Sequence, residues 1–93
     1  MRAEVLYQRA LTIREQAYSL DHFITAITLH RLARFYETLG QYAQTDRFYQ
    51  RTLAIRERSA GHSHPSTVAV AQEYARFLHT LQQVNNAIDV EEV

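Results

Sequence analysis

The five histidines are the side chains of this sequence best suited to acid–base chemistry or metal binding. His62 and His64, in the stretch HSHP, are two positions apart and could chelate one metal ion. A structural zinc site needs about four ligands, and here there is no cysteine and no third ligand clustered with them. Nor does any pattern bring a nucleophile together with a base and an orienting group. We therefore expect no catalytic residues, no metal site and no cofactor.

The arginines could instead bind acidic groups. All ten basic residues are arginines, and ten acidic residues balance them. A general nucleic-acid binder needs a surplus of cations to neutralise phosphates, so no nucleic-acid partner is expected. The balance is uneven: residues 1–58 hold nine arginines and six acidic residues, whereas residues 59–93 hold one arginine and four acidic residues. The two parts of the chain therefore carry opposite net charges.

The sequence also predicts the compartment. No stretch reaches the roughly 18 apolar residues needed to cross a bilayer, and the N-terminal stretch MRAEVLYQRA lacks the apolar region of a signal peptide. The absence of cysteine suits a reducing environment. These features predict a cytoplasmic protein with no membrane partner.

An internal repeat must position the candidate residues. The peptide YQRALTIRE, which begins at Tyr7, recurs as YQRTLAIRE from Tyr49, 42 residues later. The same offset aligns the two ARF tripeptides at 33–35 and 75–77. A fixed period of about 20–50 residues is typical of repeat proteins, in which the stacking of units supplies the core.

Each unit has the apolar pattern of two helices. The apolar residues from Leu29 to Leu39 recur at helical spacing, and Gly40 suits the position just after a helix end. The predicted helices span about 3–18, 23–39, 42–59 and 65–82, with a short C-terminal helix at 85–93. The expected N-cap residues are Asp21 in the first unit and Ser63 or His64 in the second. Because short connections force neighbouring helices to pack antiparallel, the predicted fold class is all-α, an antiparallel helix-pair solenoid.

The quoted segments also resemble a known family. The run LARFYETLGQY followed by FYQRTLAIRE resembles the tetratricopeptide repeat, and the 42-residue period with YQRxLxIRE resembles the longer repeats of kinesin light chain. The resemblance covers nearly the whole chain and implies a single domain, or a fragment of one, over residues 1–93. It further implies a noncatalytic module whose first helices line a concave groove that holds a peptide or helix of a partner protein.

The resemblance also indicates which side chains line the groove. The implied peptide-binding residues are His30, Arg31, Arg34, Glu37, Gln72, Glu73, Arg76 and His79. Arg34 and Arg76 occupy equivalent positions, so stacking would place two guanidinium groups in one row. Since a guanidinium grips a carboxylate through two parallel hydrogen bonds, an acidic partner is one interpretation. In the other, both arginines are solvated and pair with nearby glutamates.

The two ends of the repeat pattern suggest an alternative function. In the repeat register, helix 3–18 is a second helix without its first, and helix 65–82 lacks most of its partner. Arrays usually need about three units, so both ends should expose apolar faces. Either the chain is a piece of a longer repeat protein, or helix 65–82 of one copy packs on helix 3–18 of another. The opposite charges of the two parts favour this head-to-tail contact, which would make the protein a homo-oligomer.

Overall fold

Four α-helices build the structure. The computed structural model describes residues 2–18 and 22–92, with side chains for 3–17 and 22–86. The helices are α1 (Arg2–Tyr18), α2 (Phe23–Thr38), α3 (Tyr42–Ala60) and α4 (Pro65–Glu92). The most extensive contact joins α2 to α3, while α1 packs on α2 and α4 packs on α3. The predicted all-α solenoid of helix pairs is therefore confirmed.

The core is centred between α2 and α3. Leu29 and Ala33 of α2 are inaccessible to solvent, and the ring of Tyr36 stacks on that of Phe48 with centroids 5.5 Å apart. Burying one large apolar side chain contributes about 1.5–3 kcal/mol, so this interface is a major source of stability. The buried apolar residues of the core are Leu11, Ala26, Leu29, Leu32, Ala33, Tyr36, Phe48, Tyr49, Ile55 and Phe77.

Gly40 ends α2 as predicted. Its φ of 76° lies in the left-handed region, which side chains with a Cβ rarely adopt. The Gly40 N–H donates to Glu37 O at 3.0 Å, and the Gln41 N–H donates to Tyr36 O at 2.9 Å. These are the two bonds of a Schellman motif, and they satisfy carbonyls that the end of the helix would otherwise leave unpaired. The chain then reverses directly into α3.

Histidines cap α2 and α4. His22 Nδ1 accepts a hydrogen bond from Ile24 N at 3.0 Å, and His64 Nδ1 accepts one from Ser66 N at 3.1 Å. The two histidines occupy equivalent positions of the repeat, 42 residues apart. Of the predicted caps, His64 is thus confirmed. Asp21 lies outside the described residues.

The end of α4 differs from the prediction. The sequence predicted a helix ending near residue 82 and a separate short helix at 85–93, but α4 continues without a break to Glu92. The position equivalent to Gly40 is Gln82, whose Cβ makes a left-handed terminator unfavourable. With no glycine or proline beyond Pro65, nothing stops the helix. Residue 93 lies outside the described residues.

The first helices of the two repeats are α2 and α4, and a tyrosine hydroxyl links each of them to the helix before it. Tyr36 Oη donates to Glu4 Oε1 at 2.8 Å, and Tyr74 Oη donates to Asp46 Oδ1 at 2.5 Å. Glu4 and Asp46 are equivalent positions of the two units, whereas the position equivalent to Tyr74 is Leu32. The same contact is therefore built from a different position of the first helix.

The outer face of α1 remains exposed although its counterpart in α3 is buried. Leu6 and Ile13 are 60% and 63% exposed, whereas the equivalent Phe48 and Ile55 are 4% and 2% exposed. The difference arises because α2 covers this face of α3. No described helix covers it in α1.

The outer face of α4 shows the complementary difference. Val68 and Leu78 are exposed, whereas the equivalent Ala26 and Tyr36 of α2 are buried against the rest of the core. The described chain therefore carries one covered helix pair between two uncovered apolar faces, as the sequence led us to expect.

Replacing a histidine cap should destabilise the fold. We expect His64→Ala to lower the free energy of unfolding by about 1 kcal/mol, because the Ser66 N–H loses its acceptor. His64→Asn should retain most of the stability, since its amide oxygen can accept the same bond. Urea unfolding followed by circular dichroism measures both. His79→Ala, at an exposed position of α4, serves as the control, and an Asn variant as unstable as the Ala variant would contradict the capping role.

Candidate functional site

The candidate site is a hollow on the surface between α2 and α4. It has a volume of about 440 Å³. Its lining residues are Arg34 of α2 and Ala69, Gln72, Glu73 and Arg76 of α4. The α4 residues lie three, four and seven positions after Ala69, which places their side chains on one face of the helix. The hollow therefore joins the first helices of two successive repeats, where the groove was predicted.

Glu73 is the central side chain of the site. Its Oε1 accepts a hydrogen bond from Arg34 Nε at 2.7 Å, and its Oε2 accepts one from Arg34 Nη2 at 3.3 Å. His30 Nε2 lies 2.6 Å from the same Oε2 and donates to it. The Glu73 side chain is only 14% exposed, whereas that of Arg34 is 62% exposed. The carboxylate is therefore held from two sides and ties α4 to α2.

The contacts of Glu73 decide its protonation. Burial on its own would raise the pKa of Glu73, but the hydrogen bonds from Arg34 and His30 outweigh burial and lower that pKa below its ordinary value. The hydrogen bond to Glu73 in turn raises the pKa of Arg34. Both groups are therefore charged at neutral pH, and the positive charge of Arg34 is balanced by Glu73.

Tyr49 lies beneath this cluster and supports it. Its ring is 6.1 Å from that of His30, and its hydroxyl donates to Glu37 Oε1 at 3.3 Å. Burial raises the pKa of Tyr49 far above its usual range, and the nearby charges of Glu73 and Glu37 raise it further. The phenol therefore stays neutral and acts as a hydrogen-bond donor.

Arg76 differs from Arg34 in having no counter-ion among the described side chains. Its side chain is exposed and lines the hollow, and within residues 3–17 and 22–86 no acidic side chain forms an ion pair with it. Arg31 is likewise exposed and forms no ion pair with the described side chains. The hollow thus contains two arginines and one glutamate, and of the two arginines it is Arg34 that pairs with this glutamate.

The structure brings together most, but not all, of the eight residues that the family resemblance implied. His30, Arg34 and Glu73 contact one another, and Gln72 and Arg76 line the same hollow. Arg31, Glu37 and His79 do not line it. Of the two interpretations of the arginine row, pairing with a nearby glutamate holds for Arg34. Within residues 3–17 and 22–86, no glutamate pairs with Arg76. The role of these residues in peptide binding stays a prediction.

The pairing of Arg34 with Glu73 was not predicted from the sequence. The two residues are 39 positions apart, which is one repeat less three residues. A step of one repeat leads to the neighbouring first helix, and a step of three residues back moves about one turn along it. The 39-residue separation could therefore have indicated the pairing of Arg34 with Glu73, but only to a reader who already knew how the helices stack.

The described part of the chain offers little other chemistry. Among its residues, no three His, Asp or Glu side chains lie close enough together to hold a metal ion. None of the described helices combines the length and the apolar character needed to cross a membrane.

A stack of antiparallel helix pairs with a polar hollow between its first helices defines a helical-repeat protein. The family model of the tetratricopeptide repeat matches residues 25–92, and a second model with the same description matches residues 2–24. The chain therefore belongs to the tetratricopeptide repeat family, in its kinesin light chain-type form. Comparison with curated proteins gave no match. Tetratricopeptide repeats generally mediate protein–protein interaction and are noncatalytic.

The link between Glu73 and its two partners should make stability depend on pH. Because the pKa of Glu73 is lower in the folded chain than its ordinary value of 4.5, its contribution is present above that value and is lost as the pH falls through the folded pKa. We expect Glu73→Gln to cost about 1 kcal/mol at neutral pH. Urea unfolding of both proteins at about pH 7 and about pH 3 should show the difference shrinking in acid. An equal difference at both pH values would show that the carboxylate charge is unimportant.

Proposed function

We propose that this chain is a noncatalytic interaction module that binds an acidic segment of a partner protein in the hollow between α2 and α4. The observation that supports the proposal best is Arg76, an exposed cation without an ion-pair partner among the described side chains. It lines the hollow together with Arg34, whose charge Glu73 already balances. The site therefore carries one uncompensated positive charge.

Each lining residue has a distinct role in this proposal. Arg76 grips a carboxylate of the partner through its planar guanidinium. The amide of Gln72 can donate to and accept from the partner's peptide backbone. Arg34 gives two nitrogens to Glu73, which leaves Nη1 as the nitrogen that can donate to the ligand. Glu73 therefore restricts the orientation of the ligand, because it repels a second carboxylate placed beside Arg34.

The remaining predicted residues extend the contact beyond the hollow. Arg31 and His79 are exposed on α2 and α4 and can meet flanking residues of a longer ligand, whereas Glu37 is occupied by Tyr49. His30 acts indirectly, because it holds Glu73. A cytoplasmic location, and the absence of nucleic-acid binding, rest on the sequence and stay predictions.

Acidic-peptide binding can be tested with a simple probe. We expect fluorescein-labelled hexaglutamate to bind the chain and hexalysine not to bind, as measured by fluorescence anisotropy at low ionic strength. Arg76→Gln should weaken hexaglutamate binding about tenfold, since it removes a charge-assisted hydrogen bond.

Arg47→Gln provides the matched control. Arg47 is exposed on α3, where its guanidinium lies 5.4 Å from the Phe48 ring centroid, and it does not line the hollow. Equal weakening by the Arg47 and Arg76 variants would reveal general electrostatic attraction and would count against a site in the hollow.

Self-assembly is a second candidate function, favoured by the uncovered faces of α1 and α4. These faces carry apolar residues at the positions that α2 and α3 bury against each other. Because residues 7–15 of α1 differ from residues 49–57 of α3 at only two positions, the α1 helix of a second copy is suited to cover α4. A heterologous contact of this kind closes into a ring or propagates as a filament.

One helix offers both a test and a control for this assembly. The position equivalent to Ile13 is the buried Ile55, whereas the position equivalent to Val5 is the exposed Arg47. We expect light scattering to show a mass above 10.9 kDa that rises with protein concentration. Ile13→Glu should abolish the rise by burying a charge in the contact, and Val5→Glu should leave it unchanged. A mass of 10.9 kDa at all concentrations would contradict self-assembly.

A further inference from the structure

The internal repeat predicts which residues meet if a second copy extends the stack. Within the chain, the pair α1 and α2 is followed by the equivalent pair α3 and α4. The movement that superposes the first pair on the second can be repeated. It then places α1 and α2 of a second copy directly after α3 and α4 of the first. We call the contact between the two copies the junction. Every contact that joins the pair α1 and α2 to the pair α3 and α4 within one chain has a counterpart there, in which each residue is replaced by the residue at the equivalent position of the repeat.

The apolar contact at the junction is well matched. The stacked pair Tyr36 and Phe48 is replaced by Leu78 and by Leu6 of the second copy. Both leucines are exposed in the single chain, at 42% and 60%. Two exposed leucines thus take the place of two buried aromatic rings, so that the junction buries apolar surface that is otherwise in water.

One polar contact is reproduced with the correct charges. Between α1 and α3, Arg51 Nη2 donates to Glu15 Oε1 at 3.1 Å. The equivalent residues at the junction are Glu57 of the first copy and Arg9 of the second. This opposite-charge pair supports the same stacking step.

A second polar contact changes its character at the junction. Between α2 and α4, Glu73 lies between His30 and Arg34. At the junction, the residue equivalent to Glu73 is Arg31 of the second copy, and the residues equivalent to His30 and Arg34 are Gln72 and Arg76. An arginine therefore takes the place of the glutamate, and two guanidinium groups meet where the single chain has an ion pair.

We propose that this meeting of Arg76 with Arg31 of a second copy forms an anion site that takes a carboxylate of an acidic peptide. The inference rests on the proposed function of the hollow and on self-assembly, and it adds that the complete site needs both copies. Without a ligand, the two like charges weaken the junction. A carboxylate bound between them replaces the missing Glu73 equivalent, because a guanidinium on either side can donate to it. Peptide binding and assembly therefore strengthen each other, as linkage requires.

Charge reversals test whether Arg31 and Arg76 meet. We expect Arg31→Glu and Arg76→Glu each to lower the concentration at which the 93-residue chain assembles about fivefold without peptide, since each turns a like pair into an ion pair. The double variant places two glutamates together and should assemble no better than the wild type. Both arginines are exposed and form no ion pair with the described side chains, so circular dichroism should show unchanged helix content. Sedimentation velocity gives the assembly constants.

Arg47→Glu is the matched control for net charge. It changes the net charge of residues 1–58 by the same amount as Arg31→Glu. Arg47, however, lies one turn before Arg51, whose side chain bonds to Glu15 of α1. We expect it to leave assembly unchanged. Single reversals that fail to tighten assembly, or a double variant that assembles more tightly than either single one, would overturn the inference.

Hexaglutamate tests whether an acidic peptide promotes assembly. It should raise the average mass of the wild-type chain but not that of Arg31→Glu, whose junction already contains a carboxylate, and hexalysine should raise neither. Binding of hexaglutamate through Arg76 without any rise in mass would overturn the two-copy site while leaving the proposed function intact. Absence of hexaglutamate binding at every protein concentration would overturn both.

Discussion

The packing of α2 against α3 is the contact on which the rest of the structure depends. Each helix of a repeat has one apolar face for its own partner and another for the adjoining unit. The helices α2 and α3 are such partners, and the faces that they turn to each other are buried. Tyr36 stacks on Phe48, and Leu29 and Ala33 are inaccessible to solvent. The outer helices α1 and α4 are then placed through the second kind of face. In α1 and α4, the face that would pack on a partner within the same repeat is not covered by any described helix. This explains why Leu6 of α1 is exposed whereas the equivalent Phe48 of α3 is buried.

The same helix pair determines the electrostatics of the hollow. The short turns after α2 and α3 bring α4 beside α2, so that Glu73 reaches Arg34 and His30. Burial opposes the ionised form of Glu73, and the two donors restore it. A row of two equivalent arginines thus becomes one ion pair and one uncompensated cation. The asymmetry arises because α4 brings a glutamate to Arg34, whereas no helix that the structure describes follows α4 to bring one to Arg76.

Repetition gives the uncovered faces of α1 and α4 apolar residues at the positions that α2 and α3 bury against each other. The likeness is strongest between residues 7–15 of α1 and residues 49–57 of α3, which differ at only two positions. The two units also differ in charge beside the hollow, where Arg31 of the first unit is equivalent to Glu73 of the second. Proteins of this family generally mediate protein–protein interaction.

The sequence by itself determined the repeat, the helical fold and the local ends of α2. Periodicity placed the helices, and Gly40 marked a turn that needs a left-handed residue, because these features depend on neighbours within a few positions. It also located the candidate groove, through family resemblance. The tertiary structure decided which side chains meet across helices. Glu73 pairs with Arg34, and Tyr74 reproduces the contact of Tyr36 from a different position. Such contacts join residues far apart in the chain, and they depend on how the helices stack and how long side chains reach, which local propensity does not encode.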